Sequence, residues 1–156
     1  MKSTASLVDV SEKSDIDLIH EIGSRIAAAD PLHAVLGRVV DLVSTLVHCD
    51  SCFIYVLEED ALVMRASKTP HPDVVDRLKL RVGEGITGWV ARSGKPACVG
   101  NVRDDPRYIM LRRNVRSELA VPLDVGGEVR GVLNVDSDRQ NAFTAEDQQL
   151  LEALAV

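Results

Sequence analysis

Apolar residues change their spacing along this chain, and the changes mark its elements. Ser14 is placed to cap a helix through Ala29, in which Ile16, Ile19, Ile22 and Ile26 recur at helical spacing. Asp30-Pro31 restarts the chain, with Asp as cap and Pro in the first turn. From Leu32 to Val47, the positions Val35, Leu36, Val39, Val40, Leu42, Val43, Leu46 and Val47 predict a second helix with a wide buried face. The period then shortens. "SCFIYVLEEDALVMRASK" reads as a hairpin, Cys52 to Leu57 and Leu62 to Ser67 about a Glu58-Glu59-Asp60 turn. Pro70 and Pro72 interrupt the chain, and "DVVDRLKLRV" reads as a short helix leading to a strand or as a loop. "KPACVGNV" reads as a short strand, followed by an irregular, arginine-rich excursion, "RDDPRYIMLRRNVR". "SELAVPLDVGGEVRGVLNVDS" is the clearest hairpin, two apolar runs about Gly126-Gly127. Thr144 then caps a last helix with a Leu150, Leu151, Leu154 stripe.

Strands that meet mostly as hairpins give a largely antiparallel sheet with helices packed on it, an α+β fold. Residues 1–13 are polar and small and read as a loose lead-in, leaving 14–156 as one domain. The last stripe is still running at Val156 with no capping residue after it, the pattern expected of a chain that ends abruptly or of a helix cut from a longer one.

Composition narrows the function. The chain has 156 residues, 46% apolar and 27% charged, as in an ordinary soluble domain. A net charge of −6 argues against a general nucleic-acid surface. No apolar run approaches membrane-spanning length, and "MKSTASLVDV" lacks a signal peptide's apolar stretch. Three cysteines fit a reduced compartment. A cytoplasmic location is the expectation.

Gly83-Glu84-Gly85-Ile86-Thr87-Gly88 is a formal GxGxxG. A dinucleotide site also requires a buried parallel strand before it and a full crossover helix after it. Here Leu78-Lys79-Leu80-Arg81-Val82 alternates apolar and charged, as a half-exposed strand does. The following helix is stopped by Ser93-Gly94 after roughly two turns. The glycines therefore read as backbone devices: a tight turn at Gly83 and Gly85, a close helix approach at Gly88, a helix end at Gly94.

"GEGITGWVARSGKPACVGNVRDDPRY", "SELAVPL", "GVLNVDS" and "AFTAEDQQLLEALA" resemble successive blocks of the GAF domain, a small-molecule-sensing module of signalling proteins. The resemblance runs from about residue 15 to the end. It implies a GAF/PAS-like central antiparallel sheet of about six strands, with helices on both faces. It also implies a ligand site between the sheet and the segments around Trp89 and Tyr108.

Free methionine-(R)-sulfoxide reductases are GAF proteins with similar blocks. Their pattern has cysteines where this chain has Thr87 and Leu111, and such chemistry needs an attacking and a resolving thiol. Glu118 and Asp136 match acids that hold the substrate's ammonium group there, and Asn134 replaces a third. On the missing thiols, the expectation is a chain without catalytic residues. Of the pattern of cyclic-nucleotide-binding GAF domains only Phe143 and Asp147 are matched; Ser137, Asp138 and Gln148 stand at the other positions.

Cys49-Asp50-Ser51-Cys52 is a CxxC at the end of a helix, the wrong end for thiolate stabilisation, and reads as two small apolar residues in a buried turn. A zinc site from His48, Cys49, Cys52 and Cys98 would need all four to converge; no metal is expected. Arg103, Arg107, Arg112, Arg113 and Arg116 form either a solvated lid or a clamp on an anionic ligand. Trp89 and Tyr108 stack on a ligand or fill the core. Asn134 and Asp136 share one side of their strand, opposite Leu133 and Val135.

The expected ligand-binding set is Trp89, Arg107, Tyr108, Met110, Glu118, Asn134 and Asp136, around a small ligand, anionic if the arginines clamp it, that the sequence does not name, nor any cofactor. The expected partners are a second copy, through the terminal helices, and an output domain, attached or separate; nucleic acid and membrane are not expected. Two alternatives stay open: a reductase-like enzyme, and a ligandless dimerisation module.

Overall fold

The computed structural model describes residues 31–68, 75, 78–110 and 114–155. The expected lead-in and first helix lie outside them. Contacts divide the chain after Val35, and nearly all described residues belong to the unit Leu36–Val156.

Six strands form one antiparallel sheet in the order β3-β2-β1-β6-β5-β4. They are β1 (Ser51–Glu58), β2 (Ala61–Lys68), β3 (Lys79–Arg81), β4 (Ala97–Val99), β5 (Ser117–Val125) and β6 (Glu128–Ser137). The helices are α1 (Pro31–Leu46), α2 (Gly85–Ser93) and α3 (Ala145–Leu154), with a 3-10 turn at Val102–Asp104. The two central hairpins stand where the alternation places them. Gly126 and Gly127 both take positive φ, 62° and 86°, which suits the two-residue turn between twisted strands. Thr144 caps α3 through a reciprocal pair, its hydroxyl accepting from the Asp147 amide while the Asp147 carboxylate accepts from the Thr144 amide.

The sheet carries a core on each face. One gathers Val40, Val43, Val47, Cys52, Ile54, Leu119, Val121, Leu133, Val135 and Leu151 beneath α1 and α3. The other gathers Phe53, Tyr55, Leu62, Met64, Ile86, Val90, Ala120 and Val132 beneath α2. Helices on both faces of an antiparallel sheet are the α+β arrangement expected.

Two expectations change in detail. The wide buried face of α1 is narrower: Val40 and Val43, with Val47 just past its end, are buried, while Leu32, Val35, Leu42 and Leu46 are 47–50% exposed. The eight apolar positions spread over more of the helix than a single stripe against a sheet can cover. At the other end, Leu151 is buried and Leu150 and Leu154 pack against the same core. The α3 stripe is therefore used inside the protomer.

The glycine segment is a turn from an edge strand into a short helix. Among the described residues β3 pairs with β2 alone, antiparallel, at the sheet's margin. Gly88 carries the close approach: a Cβ there would lie 2.6 Å from the Arg81 carbonyl oxygen and 3.1 Å from Gly83 backbone. The Gly83 amide donates to the Gly88 carbonyl across that contact at 2.8 Å. These contacts set α2 against the sheet and bring Thr87, in its first turn, over β5 and β6.

Candidate functional site

β5 and β6 pair Glu118 with Asp136 and Ala120 with Asn134, while the intervening Leu119, Val135, Val121 and Leu133 enter the α1/α3 core. Strand parity thus sends Glu118, Asn134 and Asp136 to the α2 side, as the alternation around Asn134 requires. All three are buried. Residues directly opposite on one face of a strand pair have Cβ atoms about 5 Å apart, so the two carboxyls are neighbours.

Asn134 organises the cluster. Its side-chain amide donates to Glu118 Oε1 and, at 3.0 Å, to Thr87 Oγ1. The Thr87 hydroxyl donates to the same Glu118 oxygen at a long 3.5 Å. The partners of Glu118 are thus neutral donors, and among the described residues no basic side chain pairs with it. Burial is the main reason its carboxyl is pushed up to about 7, and the neighbouring Asp136 charge adds to it.

Above the cluster runs the segment after the 3-10 turn. The Val102 amide donates to the Arg116 carbonyl at 2.7 Å, tying this segment to the start of β5. Arg107 lies over the Trp89 ring, its guanidinium carbon 4.3 Å from the centroid. The same guanidinium holds Asp105 with two hydrogen bonds, Nε to Oδ1 at 3.0 Å and Nη2 to Oδ2 at 2.7 Å. That pairing keeps the Asp105 carboxyl below its usual range. Tyr108 and Trp89 pack against the α2-side core. Ile109 stands beside Gly85 at the start of α2, and Met110 is 67% exposed at the surface.

Of the seven expected site residues, Glu118, Asn134 and Asp136 come together directly, and Trp89 and Arg107 stack on each other. Tyr108 joins the same side, and Met110 faces outward. Two participants were not among them. Thr87 was weighed only as a replaced cysteine, yet it is the hydroxyl that ties α2 to the acids. Asp105 is the carboxylate that occupies Arg107. Its position two residues before Arg107 was legible, but the pairing depends on a loop conformation that spacing does not reveal.

All three thiols face away from this cluster. Cys52 is in the α1/α3 core, Cys49 packs against it, and Cys98 pairs with Leu119 and approaches the Phe143 carbonyl on that side. Burial pushes the Cys49 thiol up to about 11 and the Cys52 thiol higher still. No group of three or more potential metal ligands occurs among the described residues. No helix among them is long and apolar enough to cross a membrane.

The family model for the GAF domain matches residues 29–156. The Nif-specific regulatory protein of Azospirillum lipoferum is 27% identical over 126 residues, 76% of this chain and 20% of that protein. The free methionine-R-sulfoxide reductase of Escherichia coli is 30% identical over 100 residues, 64% of this chain and 58% of that enzyme. The chain thus spans about a fifth of the first relative and under three fifths of the second. Among solved structures, the GAF domain of an Acinetobacter phosphoenolpyruvate-protein phosphotransferase superposes with a TM-score of 0.74 at 27% identity, covering 90% of this chain and 87% of that one.

The reductase corrects the expectation of a chain without catalytic activity. That expectation rested on two absent thiols, and an enzyme nonetheless stands among the relatives at an identity no lower than that of the regulatory protein. The family itself follows from the matched span, the six-stranded sheet with helices on both faces, and the blocks around α2, β5 and β6: this chain belongs to the GAF domain family.

Proposed function

We propose that this GAF domain binds a small molecule carrying an ammonium group, seated against Glu118 and Asp136 between the sheet and α2, and passes its occupancy to a regulatory output. The single observation behind this reading is Glu118: a buried carboxyl, beside a second one, whose partners are neutral donors. A buried acid without a cation is costly, and such groups concentrate where a ligand supplies the missing charge. The Nif-specific relative supports the regulatory side. Arg107 is held by Asp105, so an anionic guest would have to take it from that partner, and the acids favour a cation.

Trp89 and Tyr108 flank the guest's apolar part. Binding acts by favouring one of two arrangements of α2 and the segment above it. The domain works in the cytoplasm as a homodimer; the α3 stripe packs into its own core, and the exposed Leu42 and Leu46 of α1 support a contact there instead. Light scattering on the protein and on its Leu42→Glu variant tests the assembly. A dimer that becomes monomeric on substitution supports it, and a monomer at high concentration contradicts it.

A thermal-shift screen of small amines and free amino acids tests the ligand. A compound that stabilises the protein and loses its effect in the Glu118→Gln variant supports the reading. Stabilisers that act equally on both proteins count against it.

The Escherichia coli relative favours a second reading, an enzyme acting on free methionine-R-sulfoxide, since Glu118 and Asp136 suit that substrate's ammonium group. The chain's own thiols lie across the sheet, so the assay supplies a thiol reductant and follows sulfoxide loss. Turnover that disappears in Asp136→Asn would establish it.

A further inference from the structure

We propose that the empty site stores a proton on Glu118 and releases it when a cationic guest enters, so that binding exchanges one positive charge for another. The inference rests on the ammonium-ligand reading above and concerns what occupies the site when the ligand is gone.

Glu118 and Asp136 face each other across the β5–β6 pair, both buried, on the face covered by α2. Two carboxylates so placed repel each other, and burial removes the water that would screen them. What else faces Glu118 does not relieve this. β6 contributes the neutral Asn134 amide, and α2 contributes the Thr87 hydroxyl. β4 places Val99 opposite it in register. The overlying segment brings Asp105 and Arg107 as a pair that largely cancels. Among the described residues no basic side chain pairs with Glu118, and a proton or an ammonium group can supply the positive charge its carboxylate would meet.

Against burial and the Asp136 charge, Asn134 favours the ionised acid. Its two amide hydrogens are both placed, on Glu118 Oε1 and Thr87 Oγ1, so that oxygen is satisfied as an acceptor whether or not its carboxyl carries a proton. Burial and the Asp136 charge together hold the carboxyl at about 7. When an ammonium group arrives, the proton on Glu118 passes to solvent and the carboxylate left behind pairs with the guest. Apparent affinity therefore falls about tenfold for each pH unit below about 7 and levels off above it, because a proton competes for the same carboxyl.

The test uses the whole chain, with methylammonium and L-methionine-(R)-sulfoxide as probes. The side-chain carboxyl of Glu118 is followed by carbon NMR in glutamate-labelled, ligand-free protein from about pH 5 to about pH 9. The resonance is assigned by its absence in Glu118→Gln. Calorimetry in buffers of different ionisation heat counts protons released on binding. The expected result is a titration midpoint near 7 and close to one proton released at about pH 6, falling toward none at about pH 9. A carboxyl already ionised at about pH 5, or binding without proton release at about pH 6, overturns the exchange and leaves the ligand reading standing. Probes that bind at no pH, with the titration intact, overturn the ligand reading and the exchange with it.

Discussion

Strands β5 and β6 build two chemically different surfaces from alternating residues. Leu119, Val121, Leu133 and Val135 leave one side and close an apolar core with α1 and α3. Glu118, Asn134 and Asp136 leave the other, interleaved with Ala120 and Val132, and meet Thr87 beneath α2. The backbone hydrogen bonds are common to both faces, so the difference lies in side chains alone. Apolar burial on the first face stabilises the sheet. The second face buries acids at a cost in stability, which the proposed ammonium site would account for. A chain under selection for stability alone would place apolar residues on both sides.

Substitutions on the two faces should accordingly differ in size and in sign. The largest loss is expected on the apolar face. Leu133 is fully buried, and Leu133→Ala should cost about 3 kcal/mol, read as a lower denaturant midpoint with little change in pH dependence. On the polar face the sign reverses. Glu118 in the folded chain titrates at about 7 against an ordinary 4.5. The native state therefore binds more protons than the unfolded chain between these values. Stability is fullest below about 4.5, declines as pH rises through about 7, and stays low above it. Glu118→Gln should gain up to about 3 kcal/mol at alkaline pH and almost nothing in acid, with a flattened stability–pH curve. Denaturation at several pH values checks both parts, and a variant destabilised equally at every pH would contradict the assignment.

Smaller effects sharpen the contrast. Thr87→Val leaves an Asn134 amide hydrogen without its acceptor and should cost about 1–2 kcal/mol in thermal unfolding. It should also move the Glu118 midpoint upward, since the hydroxyl's hydrogen bond favours the ionised form. Arg107→Ala removes the stack on Trp89 and the grip on Asp105 at the partly exposed rim, where such contacts are worth about 0.5–1 kcal/mol. Trp89 fluorescence should change more than stability does.

Much of this contrast could be read in the sequence, and the rest has identifiable physical reasons for being hidden. Alternation placed both hairpins, and parity put Asn134 and Asp136 opposite Leu133 and Val135, because a strand's side-chain period is rigid. The glycine segment was legible as a turn and short helix because Gly94 and the charged alternation before Gly83 are local signals. Thr87 was missed as a participant because its role depends on how closely Gly88 lets α2 approach, which is a tertiary fact. The exposed row on α1 was hidden for a related reason: apolar periodicity shows that a residue can be buried, while the width of the surface beneath decides whether it is. Catalytic standing was misjudged by weighing two positions against a family whose members at similar identity include both a regulator and an enzyme.

The proposal that the polar face receives a charged guest is tested most directly at Asn134. In an amide NMR titration with L-methionine-(R)-sulfoxide at about pH 8, the Asn134 side-chain resonances should shift saturably, together with the Thr87 backbone amide. Those shifts should vanish in Glu118→Gln while the amides of Leu119, Leu133 and Val135 stay still in both proteins. Shifts confined to the α1/α3 side, or unchanged by removing the Glu118 charge, would contradict the account.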